Sequence, residues 1–154
     1  MIGEALALAP LLFAPEAYGI WGETIEARPD LMFVPVRERF RAGATVPAPD
    51  FVRGWRALDA LRASYHAATA AYDAVLVPTA PNLPPNVDRL LSDAEYFATE
   101  NLLTLRNTRI GNLLGGCSLT LPTGEPSCGV SLMAPPGAES RLLRLGAAAE
   151  GALG

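Results

Sequence analysis

Tyr72-Asp73-Ala74-Val75-Leu76-Val77-Pro78-Thr79-Ala80-Pro81-Asn82-Leu83-Pro84-Pro85-Asn86 is the most informative stretch of this chain. The apolar run Ala74 to Val77, bounded by Asp73 and Pro78, predicts a strand buried on both faces. The prolines that follow remove backbone donors and fix φ, so Thr79 to Asn86 is expected as a loop. In open α/β sheets, ligands bind at the carboxyl ends of strands, which is where this loop begins. Downstream, Cys117 to Leu121 and Cys128 to Met133 read as two further strands, with Gly124 and Pro126 turning the chain between them. One helix is expected from about Asp93 to Arg106. Another opens at Pro135-Pro136-Gly137 and runs from Glu139 to about Ala152, with Leu142, Leu143, Leu145 and Ala149 on its apolar face.

Upstream of the quoted stretch the chain is mainly helical. Phe51, Trp55, Leu58, Leu61, Tyr65, Ala68 and Tyr72 recur at three- and four-residue steps, one stripe over about six turns. Asp50 is expected to cap this helix and Asp73 to end it. His66 lies beside the stripe and reads as a packed or surface residue rather than a catalyst. A short helix is predicted from Pro35 to a left-handed stop at Gly43. Its Arg37, Glu38, Arg39 and Arg41 form a solvated charged face. Pro15 to Ala27 reads as an amphipathic helix with Ala17, Ile20, Trp21, Thr24 and Ile25 inward. Before it, Ala5 to Pro15 is apolar but interrupted by Pro10 and Pro15, and is too short for a bilayer. Glu4 and the absence of an early arginine argue against a signal peptide.

Composition excludes several chemistries. The chain has 154 residues, 16 acidic and 12 basic, for a net charge of -4. That balance offers no basic footprint for nucleic acid. Every basic residue is arginine, so no lysine base or Schiff-base lysine exists on these residues. One histidine and two cysteines, Cys117 and Cys128, cannot build a histidine- or cysteine-rich metal site. No cofactor or metal is expected, and no membrane partner. The cysteines are expected as buried free thiols, consistent with a reducing, cytoplasmic compartment. Three strands this apolar cannot be covered on both faces by the helices in this chain, nor can their edges be hidden. The expected architecture is therefore α/β and incomplete, with 1–72 mainly helical and 73–154 carrying the strands and helices of a sheet layer.

Several of these stretches resemble one family. Tyr72 to Pro81 is similar to the strand-and-loop of the amidase signature family, written as an aspartate, an apolar run and Pro-Thr. Arg106-Asn107-Thr108, Asn112-Leu113-Leu114-Gly115 and Leu119-Thr120-Leu121-Pro122 resemble its Asn-Thr, Asn-Leu-x-Gly and Leu-Ser-x-Pro series. Glu125 to Met133 resembles its hairpin, and the end around Glu150 its terminal helix. Glu16-Ala17 and Arg39 to Asp50 fit its preceding helical region. The order and spacing, more than any one motif, carry the likeness from about residue 15 onward. Where the family often has proline after Asn-Leu-x-Gly-x, Gly116-Cys117 stands here, so the local loop is expected to differ.

The resemblance implies the carboxyl-terminal portion of the amidase signature fold, a mixed β-sheet flanked by helices. It implies a serine amidohydrolase parent that hydrolyses carboxamide C–N bonds. Such enzymes use a nucleophilic serine, a bridging serine and a lysine base, with an oxyanion met by backbone N–H groups of a glycine- and serine-rich loop. No lysine is present, and Ser64, Ser92, Ser118, Ser127, Ser131 and Ser140 are isolated, so no catalytic residue is assigned. The chain is expected to be inactive alone and to meet a small-molecule amide only when completed by an amino-terminal half. The alternatives are a non-catalytic interaction module, associating with itself or another chain through an exposed sheet edge, or one half of a split amidase. Thr79, Asn82, Arg106, Asn107 and Asn112 are the expected substrate-pocket residues, with Arg106 suited to a bidentate grip on a carboxylate or carbonyl. The competing expectation is that Asn107, Thr108 and Asn112 satisfy backbone groups in an irregular turn. Asp93, Glu95 and Glu100 are expected to stabilise a helix start rather than act as acids or bases.

Overall fold

The structure, a computed structural model, describes residues 1–153 and divides into two compact units, the first spanning Met1–Ala63 and the second beginning at Ser64. In the first unit, helix α1 (Ile2–Ala27) runs straight through Pro10 and Pro15, which the sequence suggested as interruptions. Each proline deletes one i→i−4 bond. The helix survives because Ala5, Ala9, Leu12, Ala14, Gly22 and Ile25 are buried along it. Its apolar face is therefore not the expected one: Ile20 is 68% and Trp21 52% exposed, while Ile25 is buried. At 26 residues, with an 18-residue window averaging hydropathy 1.2, α1 is also long and apolar enough to cross a bilayer by length and composition, correcting the expected short run.

Helix α2 (Val34–Arg41) is followed by a 3-10 turn, Ala42–Thr45. Gly43 lies inside that turn and is not left-handed, contrary to expectation. It is there for space: a Cβ would overlap the Ala14 carbonyl and the Pro15 nitrogen. The charged face of α2 is an ion-pair network, as expected of a solvated surface. Arg41 pairs with Glu26 of α1 at 2.9 Å and with Glu38 at 3.0 Å, and Arg37 pairs with Glu38 at 2.8 Å. Arg37 also donates to the Pro29 carbonyl at 2.9 Å.

Helix α3 (Ala48–Thr69) starts before Asp50 and stops before Asp73. Pro47 supplies the first carbonyl, accepting from Asp50 and Phe51 N–H, so Asp50 is a first-turn residue that pairs with Arg53 rather than a cap. The inward stripe holds as far as Tyr65 and then passes to His66 and Thr69, leaving Ala68 and Tyr72 exposed.

In the second unit the sheet is built on β3 (Gly129–Ala134), which lies between β1 (Val75–Pro78) and β2 (Cys117–Pro122). Both pairings are antiparallel: Leu76 and Leu119 face Leu132, while Val77 and Thr120 face Ser131. Alternation then sorts β3 by face. Leu132 and Ala134 join Leu121 and Leu142 in a buried cluster beneath helix α7 (Glu139–Leu153), with Leu119, Val130 and Leu145 packed against it. Ser131 points to the other face. Because β1 is an edge strand, its predicted two-sided burial is not found: Leu76 is 65% exposed. Leu143 is also exposed, with Gly146 taking its expected place on the inner face of α7.

The helix expected from about Asp93 to Arg106 is α5 (Ala94–Thr104), and two helices that were not expected flank it, α4 (Val87–Ser92) and α6 (Arg106–Leu114). Asn86 caps α4 by accepting from Arg89 N–H, a start the proline-rich surroundings concealed. Asp93 caps α5, accepting from the N–H groups of Glu95 at 3.1 Å and Tyr96 at 2.9 Å. Residues 106–114 are helical rather than an irregular turn, and Gly115 ends α6 at φ 69.

The Tyr96 N–H, followed by the Arg89 guanidinium, holds the Asp93 carboxyl below its ordinary range. A depressed folded-state pKa adds stability that is present above the unfolded value and lost as pH falls through the folded one. Asp93→Asn is therefore expected to flatten the acid limb of the stability curve, below the ordinary aspartate range near 3.8, while leaving its neutral limb parallel to the parent. Thermal melts from pH 7 to 2 check this; parallel acid limbs would show that the cap carries no charge-dependent stability.

Candidate functional site

At the end of β1 the chain turns out of the sheet and opens a cleft of about 340 Å³. Its walls are Pro78 to Leu83 on one side and Thr120 with Ser127, Cys128 and Gly129 on the other. Three attachments hold the first wall. Thr79 N–H donates to the Gly129 carbonyl at 2.9 Å, extending the β1–β3 ladder by one residue. The Asn82 amide donates to Glu100 at 2.8 Å and to Thr104 at 3.0 Å, tying the loop to α5. The Asn107 amide donates to the Pro78 carbonyl at 2.7 Å, tying α6 to the end of β1. A proline-rich segment with few donors of its own is thus fixed by side chains from the helices around it.

The expected pocket residues separate on this geometry. Thr79 and Asn82 line the cleft, but the Asn82 amide group is already engaged with α5. Asn107 touches the cleft wall through its side-chain amide, at the Pro78 carbonyl, and does not line the cleft. Arg106 and Asn112 are exposed on α6 and lie outside the lining. Glu100 is half-buried against Asn82 instead of supporting a helix start, whereas Asp93 does support one. Among the described residues no charged side chain lines the cleft, so its polarity comes from hydroxyls, a thiol, the Asn82 carboxamide and backbone groups.

Thr120, Ser127, Cys128, Gly129 and the buried Ser131 were not anticipated as site residues. Thr120 and Ser131 carried a legible signal: counted out from the hairpin turn, they stand directly opposite each other, and facing hydroxyl residues on paired strands bond. Ser127 adopts φ 62, which nothing in its residue type announces. Cys128 is exposed at the cleft, correcting the expectation of a buried thiol, and Cys117 is half-buried with its thiol 3.3 Å from the Pro135 carbonyl. Neither cysteine is in a disulfide. His66 is packed as expected, its Nε2 3.1 Å from the Leu114 carbonyl. No group of three or more histidine, cysteine, aspartate or glutamate side chains suits a metal ion among the described residues.

No family model matches the chain. It is 33% identical, over 123 residues, to a 2-amino-5-chloromuconic acid deaminase of Comamonas testosteroni, an alignment covering 77% of this chain and 26% of that protein. Its backbone matches a crystal structure of an amidase with a TM-score of 0.77 at 23% identity, covering 97% of this chain and 36% of the amidase. The chain thus spans about a quarter of the relative and about a third of the solved structure. The fold read from the motifs is found in the backbone: the chain is similar in sequence to part of the deaminase and folds like part of the amidase.

Proposed function

We propose that this chain supplies one wall of an amide-hydrolysing site, formed by Pro78 to Leu83 and Ser127 to Gly129, and that it does not hydrolyse amides by itself. The parent reaction adds water across a carboxamide C–N bond, giving a carboxylic acid and ammonia or an amine. The supporting observation is a preformed cleft at the carboxyl end of β1, on a backbone like that of part of an amidase. The relative's name, a deaminase of an amino-substituted acid, also describes removal of nitrogen. Inactivity of the isolated chain follows from chemistry: activating a serine hydroxyl needs a base, and these residues include no lysine. The lone histidine is held at the Leu114 carbonyl.

The purified chain is expected to release no ammonia from acetamide or benzamide above a buffer control. Turnover that survives replacement of Ser118, Ser127 and Ser131 by alanine would overturn the missing-base reasoning. A second reading, an interaction module, is favoured by the exposed Leu76 on edge strand β1. Light scattering separates the two, because a module that works through this edge associates and Leu76→Lys abolishes the association.

A further inference from the structure

Ser131 sits on the middle strand of the sheet, 3% exposed, behind the cleft. Its Oγ is 2.9 Å from Thr79 Oγ1 and 2.9 Å from Thr120 Oγ1, and both threonines line the cleft while Ser131 does not. We propose that Ser131 is a positioning residue that fixes the two cleft threonines and makes one of them a hydroxyl donor to a ligand oxygen. The inference rests on the cleft being a ligand wall, as proposed above, and assigns the group that meets the ligand.

Proton counting gives the direction. Three hydroxyls bring three protons, and the two bonds between them use two. The Ser131 proton is buried, and a buried donor left unmade is costly, so it is spent within the chain of hydroxyls. Ser131 therefore donates to one threonine and accepts from the other. The threonine that accepts still has its own proton, and that threonine is on the cleft wall. The cleft thus presents one O–H donor, oriented from behind, to an acceptor such as a carbonyl oxygen. Both threonines are held at the backbone: Thr120 lies inside β2, and Thr79 N–H is bonded to the Gly129 carbonyl. A Cβ at Gly129 would stand 3.0 Å from Thr79 Oγ1, so the glycine leaves that hydroxyl its space. Burial of Ser131 keeps water from competing for these bonds, and each hydroxyl bond polarises the next.

The test uses the full chain, labelled for NMR. Three-bond couplings are expected to report one χ1 rotamer each for Thr79 and Thr120 in the parent and rotamer averaging at both in Ser131→Ala. Benzamide, titrated as a carbonyl probe, is expected to shift the amides of Thr79, Thr120 and Gly129 and to bind about fivefold more weakly to Ser131→Ala. In a Thr79→Val/Thr120→Val background the same serine substitution is expected to change nothing further, because its effect passes through the threonines. Ser131→Cys, close in volume with a weaker donor, should fall between parent and Ser131→Ala, and it stands in if the alanine variant does not fold. Unchanged rotamers, or an equal loss of affinity in the double-valine background, would overturn the positioning role. Rotamer averaging without any benzamide shift in the parent would instead overturn the cleft as a ligand wall, and with it the donor assigned here.

Discussion

Gly43→Ala is expected to destabilise the first unit by about 3 kcal/mol or more, at the upper end of what overpacking costs. Where backbone angles and space allow it, glycine-to-alanine is mildly favourable, by roughly 0.4–1 kcal/mol, because the unfolded chain loses freedom. Here the added methyl overlaps the Ala14 carbonyl and the Pro15 nitrogen, which are backbone atoms of α1. No rotamer change relieves such an overlap. The 3-10 turn of Ala42–Thr45 must move away from the helix, uncovering Ala14. The internal control is Gly19→Ala on α1, where a Cβ meets nothing within 4 Å and the change should be neutral or stabilising. Chemical denaturation of both variants checks the pair. Equal midpoints would show that the contact between the turn and α1 is not the one described.

Leu132→Ala is expected to cost about 3 kcal/mol, within the roughly 2–5 kcal/mol range for deleting a buried leucine side chain. Leu132 is central in every sense that matters to the sheet. It lies on the middle strand, faces Leu76 and Leu119 across the two pairings, and is buried with Leu121, Ala134 and Leu142. The cavity left by the substitution would sit between the sheet and α7, where both sides are tied into secondary structure and collapse only partly. Leu143→Ala on the same helix should stay within about 0.5 kcal/mol of the parent, because its side chain faces solvent. Hydrogen exchange is the sharper measurement: amides of β2 and β3 should lose protection in Leu132→Ala and keep it in Leu143→Ala. A large effect at Leu143 would mean that α7 packs by another face.

These two positions show where local sequence reasoning stops. The spacing of apolar residues located α3, α7 and all three strands, because a stripe at helical period or a short apolar run is written in consecutive residues. It did not say which helical face was covered. Ile20 and Trp21 carry the right residue types for an inward stripe and lie outside, while Gly22 and Ile25 lie inside. Gly43 has the composition of a helix stop and the function of a gap. That distinction depends on Ala14, 29 positions earlier, which no local pattern contains. The prolines of α1 mislead for a related reason: a local penalty is real but is offset by burial along the helix.

The candidate site divides in the same way. Thr79 and Asn82 could be singled out from the proline-rich loop alone, since loops that leave a strand end run over the surface, and both line the cleft. Asn107 was singled out from its motif, but only the fold shows that its amide holds the Pro78 carbonyl from 29 residues away. Arg106 shares that motif and stays outside the cleft. Ser131 looks like an ordinary strand residue until β2 and the loop after β1 each bring a hydroxyl to it.

Residue identity and spacing alone, then, settled the three strands, the long helices around them, the likeness to an amidase and the want of a lysine, because each is a property of neighbours along the chain. Tertiary structure decided which faces are covered, why position 43 must be glycine and which hydroxyls meet behind the cleft. Those are properties of neighbours in space, joined by packing and hydrogen bonds between segments that sequence distance keeps apart.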